Sequence, residues 1–204
     1  MRAPVKLFLA SSNPGKLREF RALVAACLPA VPVELALLPD FERLPLFEEN
    51  ASTFAENAGG KALHYSRLQE GLVFADDSGL VVPALGGAPG VHSARYAGAE
   101  ATNALRIEKL LGEMRGKTGE ERSASFVCAI ALAKQGRAIA IVTDRADGQI
   151  LETPRGSGGF GYDPMFYFPA LGKTFAELTA EEKNKHSHRG KAFRKLLGVL
   201  SSVV

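Results

Sequence analysis

Two adjacent acidic residues follow an apolar run and could bind a cation or activate a water molecule. Asp76 and Asp77, with Ser78 and Gly79 after them, directly follow the apolar segment 72–75. Ligands of open α/β sheets bind outside the carboxyl ends of strands, and Mg²⁺ takes one or two carboxylates together with substrate phosphates. The pattern therefore predicts a metal-binding or general-base site at a strand end. An Asp-Ser-Gly turn is the structural alternative.

A polar segment near the N-terminus has the composition of a phosphate site. It lies between an apolar run, which predicts a strand over Val5–Ala10, and a helical pattern. The N–H groups and the positive dipole end at a helix start attract phosphate, and Lys16 adds a positive charge. The segment is not a Walker A loop, because GxxxxGK[ST] is absent. A plain helix cap is the structural alternative. The polar segment consists of Ser11, Ser12, Asn13, Pro14, Gly15 and Lys16.

The segment 39–51, named the acidic loop here, is acidic and contains proline. Its residues Glu48 and Glu49 could add carboxylates to a metal site. That role requires them to face the aspartate pair. Otherwise they belong to a solvated loop, which is the more common use of such charges.

A glycine-rich segment, 156–164, contains two aromatic residues spaced by one position. Phe160 and Tyr162, with Gly161 between them, could form a flat surface for a base. Asp163 could accept hydrogen bonds from ring N–H groups. A glycine-rich hairpin with packed aromatic side chains is the alternative.

Cationic and hydrogen-bonding side chains gather at a break in the C-terminal helical pattern. Lys183, His188 and Arg189 could recognise a carbonyl and a ring nitrogen. The alternative is a solvated basic face. A metal-binding role for His188 has little support, since no cluster of Cys or His accompanies it.

The elements that must position these residues alternate between strands and helices. Thr53 with Glu56 and Thr179 with Glu182 form capping boxes, and Thr102 begins a further helix. Strands are expected over 72–75 and 80–85, and a strand pair over 125–133 and 138–143. This order predicts an α/β domain with a mixed sheet.

The composition excludes several classes of protein. The 204 residues are 46% hydrophobic and 23% charged, which argues against a disordered chain. No apolar run reaches the ~18 residues of a membrane-spanning helix, and no secretory signal is recognisable, so a cytoplasmic location is expected. The net charge of +3 gives only a weak preference for anionic partners. Cys27 and Cys128 lie in apolar stretches and are expected to be inert thiols.

Taken together, the segments resemble the inosine triphosphate pyrophosphatase (Ham1-like) family. The resemblance runs from residue 7 to residue 193, and the DDSGL…LGGAPG…SARY and GGFGYDP motifs in this order are specific to it. One departure stands out, because Gly59-Gly60 replaces bulkier helical residues. The matching stretches are LFLASSNPGKLREF, EENASTFAENAGGKAL, FADDSGLVVPALGGAPGVHSARYAG, GSGGFGYDPMFYFP and LTAEEKNKHSHRGKAF.

The resemblance implies a fold and an activity. The expected fold is α/β, an elongated mixed central sheet with helices on both faces and two lobes around a cleft, in a single domain over residues 1–204. The expected reaction hydrolyses ITP, dITP and XTP to the monophosphate and pyrophosphate with Mg²⁺ as the cofactor. The expected assembly is a homodimer, with neither nucleic acid nor membrane as a partner.

Roles follow from the positions that match the family's motifs. The triphosphate-binding stretch matches residues 11–16, and the Mg²⁺-holding proton acceptor matches Asp77, with Asp76 beside it. A second metal-side carboxylate matches either Glu48 or Glu49. Substrate and base contacts match Ser78, Phe160, Gly161, Tyr162, Asp163, Lys183, His188 and Arg189.

Two other functions compete with this interpretation. A Maf-like pyrophosphatase would act on pyrimidine or modified nucleotides, and the GGFGYDP and SHRG segments argue against it. A nucleic-acid-binding module is disfavoured because 22 acidic residues nearly balance 25 basic ones.

Overall fold

A mixed seven-stranded sheet forms the centre of the fold. The structure, a computed structural model, describes residues 3–27 and 31–203. The sheet order is β2-β1-β3-β4-β5-β6-β7, with β1 parallel to β2 and β3, and with β6 antiparallel to β5 and β7. The predicted α/β class and mixed sheet are therefore confirmed. The strands are β1 (Val5–Leu9), β2 (Val33–Leu37), β3 (Leu72–Val81), β4 (Ser123–Lys134), β5 (Arg137–Ile150), β6 (Phe166–Phe168) and β7 (Lys173–Thr174).

Five α-helices accompany the sheet in the described part of the chain, and none of them is long and apolar enough to cross a membrane. They are α1 (Pro14–Cys27), α2 (Phe54–Ser66), α3 (Asn103–Glu113), α4 (Ala180–His186) and α5 (His188–Val203).

The chain divides into two compact units, each made of segments that are distant in sequence. The first unit comprises 1–77, 128–144 and 189–204. The second unit comprises 78–127 and 145–188. The expected single domain over residues 1–204 stays a prediction.

Helices pack on both faces of the sheet within the first unit. On β1, Leu7 and Leu9 join a core with α1 and α5, whereas Phe8 joins a second core with α2. This division follows from strand geometry, because successive side chains point to opposite faces. The same alternation operates in β4, where Cys128 lies in the first core and Ala129 in the second, so both faces of that strand are covered.

The core of the second unit is rich in phenylalanine. Phe126 of β4 lies 4.7 Å from Phe166 and 5.7 Å from Phe175 between ring centroids. Leu110 and Met114 bring the apolar side of α3 and its C-cap into the same core. Such aromatic pairs add about 1 kcal/mol each beyond the area that they bury.

The predicted helix starts are confirmed. The side chains of Thr53, Thr102 and Thr179 accept hydrogen bonds from the backbone N–H groups three residues later. The reciprocal half of the capping box is present at Thr179. At Thr53, the Glu56 carboxylate instead accepts from the Thr53 hydroxyl at 2.8 Å.

The strand predicted over 80–85 is wrong. Strand β3 continues without interruption from Leu72 to Val81, and Pro83–Leu85 form a short 3-10 helix. The aspartate pair therefore lies inside a strand and not at its end. A strand tolerates buried carboxylates where neighbouring groups compensate their charge.

Candidate active site

Asp76 and Asp77 are directed to opposite faces of the sheet. Within β3, Phe74 belongs to the core that contains α1 and α5, and Ala75 belongs to the core that contains α2. The period of two places Asp76 on the side of Phe74 and Asp77 on the side of Ala75. Two neighbouring carboxylates consequently have different surroundings.

Asp76 is a buried carboxylate between two cations. Lys16 Nζ donates to Asp76 Oδ1 over 3.0 Å, and Arg189 Nε lies 3.5 Å from Asp76 Oδ2. Burial alone would raise the pKa of Asp76, but Lys16, Arg189 and Lys61 together lower it to about 2. Asp76 is therefore ionised at any pH of interest and holds the two cations in place.

Arg189 is itself held by a second carboxylate. Its Nη1 donates to Glu19 Oε2 on α1 over 2.8 Å, and only 2% of its side chain is exposed. The structure thus places Arg189 with Asp76 and Glu19 in the first unit. Its assignment to the 6-oxo group of a base stays a prediction.

Asp77 has the opposite electrostatic character. Asn57 Nδ2 donates a hydrogen bond to Asp77 Oδ2 over 2.9 Å. Burial raises the pKa of Asp77 to about 6, with further raising contributions from Glu49 and Asp76, against the Asn57 hydrogen bond and Lys16. A carboxyl group with this pKa accepts a proton near neutral pH more readily than an ordinary aspartate does.

The N-terminal turn is shaped largely by its own side chains. Asn13 Oδ1 accepts from the N–H groups of Gly15 and Lys16 at 2.8 and 3.3 Å. Ser11 Oγ accepts from the Asn13 N–H at 3.1 Å. Asn13 thus caps the start of α1, and the N–H groups of Asn13, Gly15 and Lys16 already have side-chain acceptors. The Ser12 side chain is exposed, and α1 begins at Pro14.

The acidic loop contacts α2 through Glu49. Lys61 Nζ donates to Glu49 Oε1 over 2.6 Å. Burial alone would lower the pKa of Lys61, but Glu49 and, at longer range, Asp76 and Asp77 raise it. Glu48 is exposed, and its Oε2 accepts from Asn50 Nδ2 at 2.9 Å.

In the second unit, the glycine-rich segment forms a turn that presents an aromatic ring. Asp163 Oδ2 accepts from the Phe160 N–H at 2.8 Å and from Lys183 Nζ at 2.5 Å. Gly159 has a φ of +71°, and a Cβ there would lie 2.0 Å from Asp163 Oδ2, so this turn requires glycine. Phe160 is 47% exposed, and Lys183 Nζ lies 4.9 Å from the centroid of its ring. An exposed ring of this kind can stack on a planar base.

Tyr162 differs from Phe160 in being buried. Its hydroxyl donates to the Ser93 carbonyl over 2.9 Å, and burial raises its pKa. Tyr162 is thus a structural part of the predicted base-binding stretch, next to Gly161 in the turn. Ser78 of β3 is half-buried.

His188 is also buried in the second unit. Its ring stacks on Phe126 at 4.8 Å and is nearly parallel to Phe175. It is the first residue of α5, and Ser187 is the C-cap of α4, so the break expected at this point in the C-terminal region is confirmed.

Comparison with known proteins decides the family. The Ham1 family model matches residues 7–199. This chain belongs to the Ham1 family. A protein of Geobacillus kaustophilus named dITP/XTP pyrophosphatase is 54% identical over 94% of this chain and 92% of its own length. One of Thermus thermophilus with the same name is 48% identical over 95% of this chain and 90% of its own length. The solved structure of a HAM1 protein from Coxiella burnetii superimposes with a TM-score of 0.85 at 42% identity, covering 97% of this chain and 99% of that one.

A divalent cation fits the Asp77 side of this Ham1 chain. Among residues 3–27 and 31–203, no three or more His, Cys, Asp or Glu side chains could enclose a metal ion. Mg²⁺ does not need such an enclosure, because it keeps waters and substrate phosphates as ligands. Asp77 is a buried carboxylate with further negative charge nearby, which a cation would neutralise. Asp77 and one carboxylate of the acidic loop would hold it, and the metal roles of Asp76, Asp77, Glu48 and Glu49 stay predictions.

Sequence reasoning missed three residues of the candidate site. Asn57 and Lys61 are four residues apart on α2, so they share a helix face, and they contact Asp77 and Glu49. Glu19 lies three residues after Lys16 on α1 and contacts Arg189. All three are polar residues at helical spacing in the helix that follows a predicted site segment, and this pattern could have identified them.

Proposed function

We propose that this chain hydrolyses dITP, XTP and ITP to the nucleoside monophosphate and pyrophosphate. The observation that carries the proposal is its similarity, over more than nine-tenths of its length, to proteins named dITP/XTP pyrophosphatase. Membership of the Ham1 family also favours a purine substrate over the Maf-like alternative.

The lysines of the first unit suit the phosphate end of this substrate. Lys16 and Lys61 bring positive charge beside Asp76 and Glu49. When the bridging Pα–O bond breaks, negative charge grows on the leaving pyrophosphate, and fixed cations stabilise it there. Arg189 keeps Asp76 compensated while Lys16 turns toward phosphate.

Asp77 is the residue best suited to receive the proton of the attacking water. Water forms a new bond to the α-phosphorus, pyrophosphate leaves, and the proton passes to the Asp77 carboxylate. The Asn57 amide holds that carboxylate by one oxygen. Mg²⁺ held by Asp77 and the acidic loop would supply further neutralisation of phosphate charge.

The second unit supplies groups suited to a purine base. The exposed Phe160 ring offers a stacking surface, and Lys183, fixed by Asp163, offers N–H donors. A 6-oxo group accepts from such donors, whereas the 6-amino group of adenine does not. A mismatch of this kind can reduce kcat/KM by a factor of about 10⁴. Contacts from His188 and Arg189 to the base are part of this proposal.

A product assay tests the proposal. Purified protein is incubated with Mg²⁺ and separately with ITP, XTP, dITP, GTP, ATP or dTTP, and pyrophosphate and orthophosphate are measured. We expect pyrophosphate from ITP, XTP and dITP, and little from ATP or GTP. Orthophosphate as the product would refute attack at the α-phosphorus, and a preference for dTTP would restore the Maf-like interpretation.

Variants connect the assay to the site. Asp77→Asn should lower kcat by about 10²-fold or more, as loss of a general base does. The same assay with EDTA tests the Mg²⁺ requirement, and activity that survives chelation would contradict it. The homodimer, the cytoplasmic location and the lack of a nucleic-acid partner stay predictions.

A further inference from the structure

The second half of the acidic loop is attached to α2 along its whole length. Both ends and the middle of this half make polar contacts with one helix, all within the first unit. The contacts are Pro45 O with His64 Nε2 at 2.8 Å, the Phe47 N–H with Tyr65 Oη at 3.3 Å, Glu49 Oε1 with Lys61 Nζ at 2.6 Å, and the Ala51 N–H with Asn57 Oδ1 at 2.9 Å.

One apolar contact in this arrangement depends on a glycine. A Cβ at Gly60 would lie 2.6 Å from Cζ of Phe47 and 3.1 Å from its Cε2. The ring therefore occupies the space that any other residue at position 60 would fill. The neighbouring Gly59 is different, since a Cβ there would meet only the end of Ile141 at 3.2 Å.

The contact explains a glycine that helix propensity opposes. Glycine inside a helix destabilises it by about 1 kcal/mol relative to alanine. Gly60 nevertheless lies in the middle of α2, on the face against which the Phe47 ring packs. The glycine that replaces a bulkier helical residue at this position thus makes room for the aromatic ring of Phe47 in the acidic loop.

The same helix also contacts Asp77. Asn57 accepts from the Ala51 N–H with Oδ1 and donates to Asp77 Oδ2 with Nδ2, and its side chain is buried. One amide therefore links the end of the acidic loop to the aspartate. Because Phe47 directly precedes Glu48 and Glu49, the position of its ring on α2 constrains the backbone that carries these two carboxylates.

We propose that Phe47 and Gly60 are positioning residues, whose contact holds the carboxylates of the acidic loop in place for a divalent cation shared with Asp77. This inference rests on the proposed function for the identity of the cation site. Ligands must be held to within about 0.5 Å for a site to work well, and side chains that are locked by packing supply that precision in addition to polar contacts.

A double-mutant cycle tests this inference. The variants are Gly60→Ala, Phe47→Leu and the two combined. Gly60→Ala displaces the ring, and Phe47→Leu removes the atom that the new Cβ would meet. Each single variant should need several times more Mg²⁺ for half-maximal activity, and the double variant should recover about three-fold or more relative to Gly60→Ala.

Two readouts do not depend on turnover. Without nucleotide, the Mg²⁺ concentration that raises the Tm should shift in the same order as the activity requirement. Hydrogen exchange at the Phe47 and Ala51 amides should accelerate in Gly60→Ala and return toward the wild-type rate in the double variant. Gly112→Ala on α3 is the matched control, since a Cβ there has nothing within 4 Å.

The outcomes separate the two proposals. If the wild-type protein releases no pyrophosphate from ITP and gains no stability from Mg²⁺, the proposed function itself fails. If the wild-type protein does both but Gly60→Ala behaves like Gly112→Ala, the positioning role is refuted. Weaker Mg²⁺ binding with unchanged hydrogen exchange in the loop would also refute it.

Discussion

At the scale of single residues, the pKa values of two adjacent aspartates are shifted in opposite directions. Asp76 faces Lys16 and Arg189, and its pKa falls to about 2. Asp77 lies on the other face with one amide donor, and its pKa rises to about 6. Enzymes that need both a proton acceptor and a permanently ionised group from one residue type obtain them by placing the two side chains in different surroundings. The alternation of the strand is the structural cause.

The first prediction concerns Asp77 and stability. Its raised pKa means that the folded protein retains a proton between about pH 4 and 6 that the unfolded chain has lost, so unfolding free energy decreases as pH rises through that range. Well above pH 6 this loss of unfolding free energy is constant, on the order of 1–3 kcal/mol. The Asp77→Asn substitution removes the ionisable group and therefore this loss. Urea unfolding with EDTA should therefore show the variant to be more stable than wild type at pH 8 and equal to it near pH 4.

Asp76→Asn is the matched control, with the opposite sign. The lowered pKa of Asp76 contributes stability above about pH 4 that disappears as pH falls toward 2. Its removal leaves Lys16 and the buried Arg189 without their shared carboxylate, which should destabilise the protein by about 3 kcal/mol at pH 8. Equal effects of the two variants would contradict the electrostatic difference between the aspartates.

At the scale of elements, the acidic loop offers two carboxylates with different surroundings. Glu49 is paired with Lys61, whereas no cation among the described residues forms an ion pair with Glu48. A cation can recruit Glu48 without breaking an ion pair. We therefore expect Glu48→Gln to raise the Mg²⁺ requirement about ten-fold, and Glu49→Gln to raise it less, since a charge-assisted bond contributes about 1.4 kcal/mol or more. Mg²⁺ titrations of pyrophosphate release measure both, and the reverse order would assign Glu49.

The glycine-rich turn carries a prediction of its own. The Tyr162 hydroxyl is directed to the Ser93 carbonyl inside the second unit. Tyr162→Phe leaves that carbonyl without its donor and should cost about 1–2 kcal/mol of unfolding free energy. We expect kcat with ITP to stay within about two-fold of wild type, because the hydroxyl does not face the exposed side of the turn. A large fall in kcat at unchanged stability would show instead that Tyr162 contacts the substrate.

The elements also show how far sequence reasoning reached. Helix starts at Thr53, Thr102 and Thr179 were predictable because a capping hydroxyl acts over three residues. The end of β3 could not be predicted, because the continuation of the strand through two aspartates depends on Lys16 and Asn57, which lie far away in sequence. Lys61 and Gly60 were missed as site-related residues for the same reason, because their partners belong to the acidic loop.

At the scale of the whole molecule, the backbone passes between the two units four times. Three passages occur inside β3, β4 and β5, between Asp77 and Ser78, Val127 and Cys128, and Asp144 and Arg145. The fourth occurs at the start of α5, between His188 and Arg189. Neither unit is a continuous segment, so no single cut of the chain separates them.

This connectivity predicts cooperative unfolding. A strand that loses its hydrogen bonds in one unit frees the backbone of the same strand in the other, so the two units should unfold together as one two-state transition. The chain has no tryptophan, but Tyr65 reports on the first unit and Tyr162 on the second. Urea unfolding followed by ¹⁹F signals of fluorotyrosine at these positions and by circular dichroism should give a single midpoint. Separate midpoints for the two tyrosines would mean that each unit is stable without the other, despite the three shared strands.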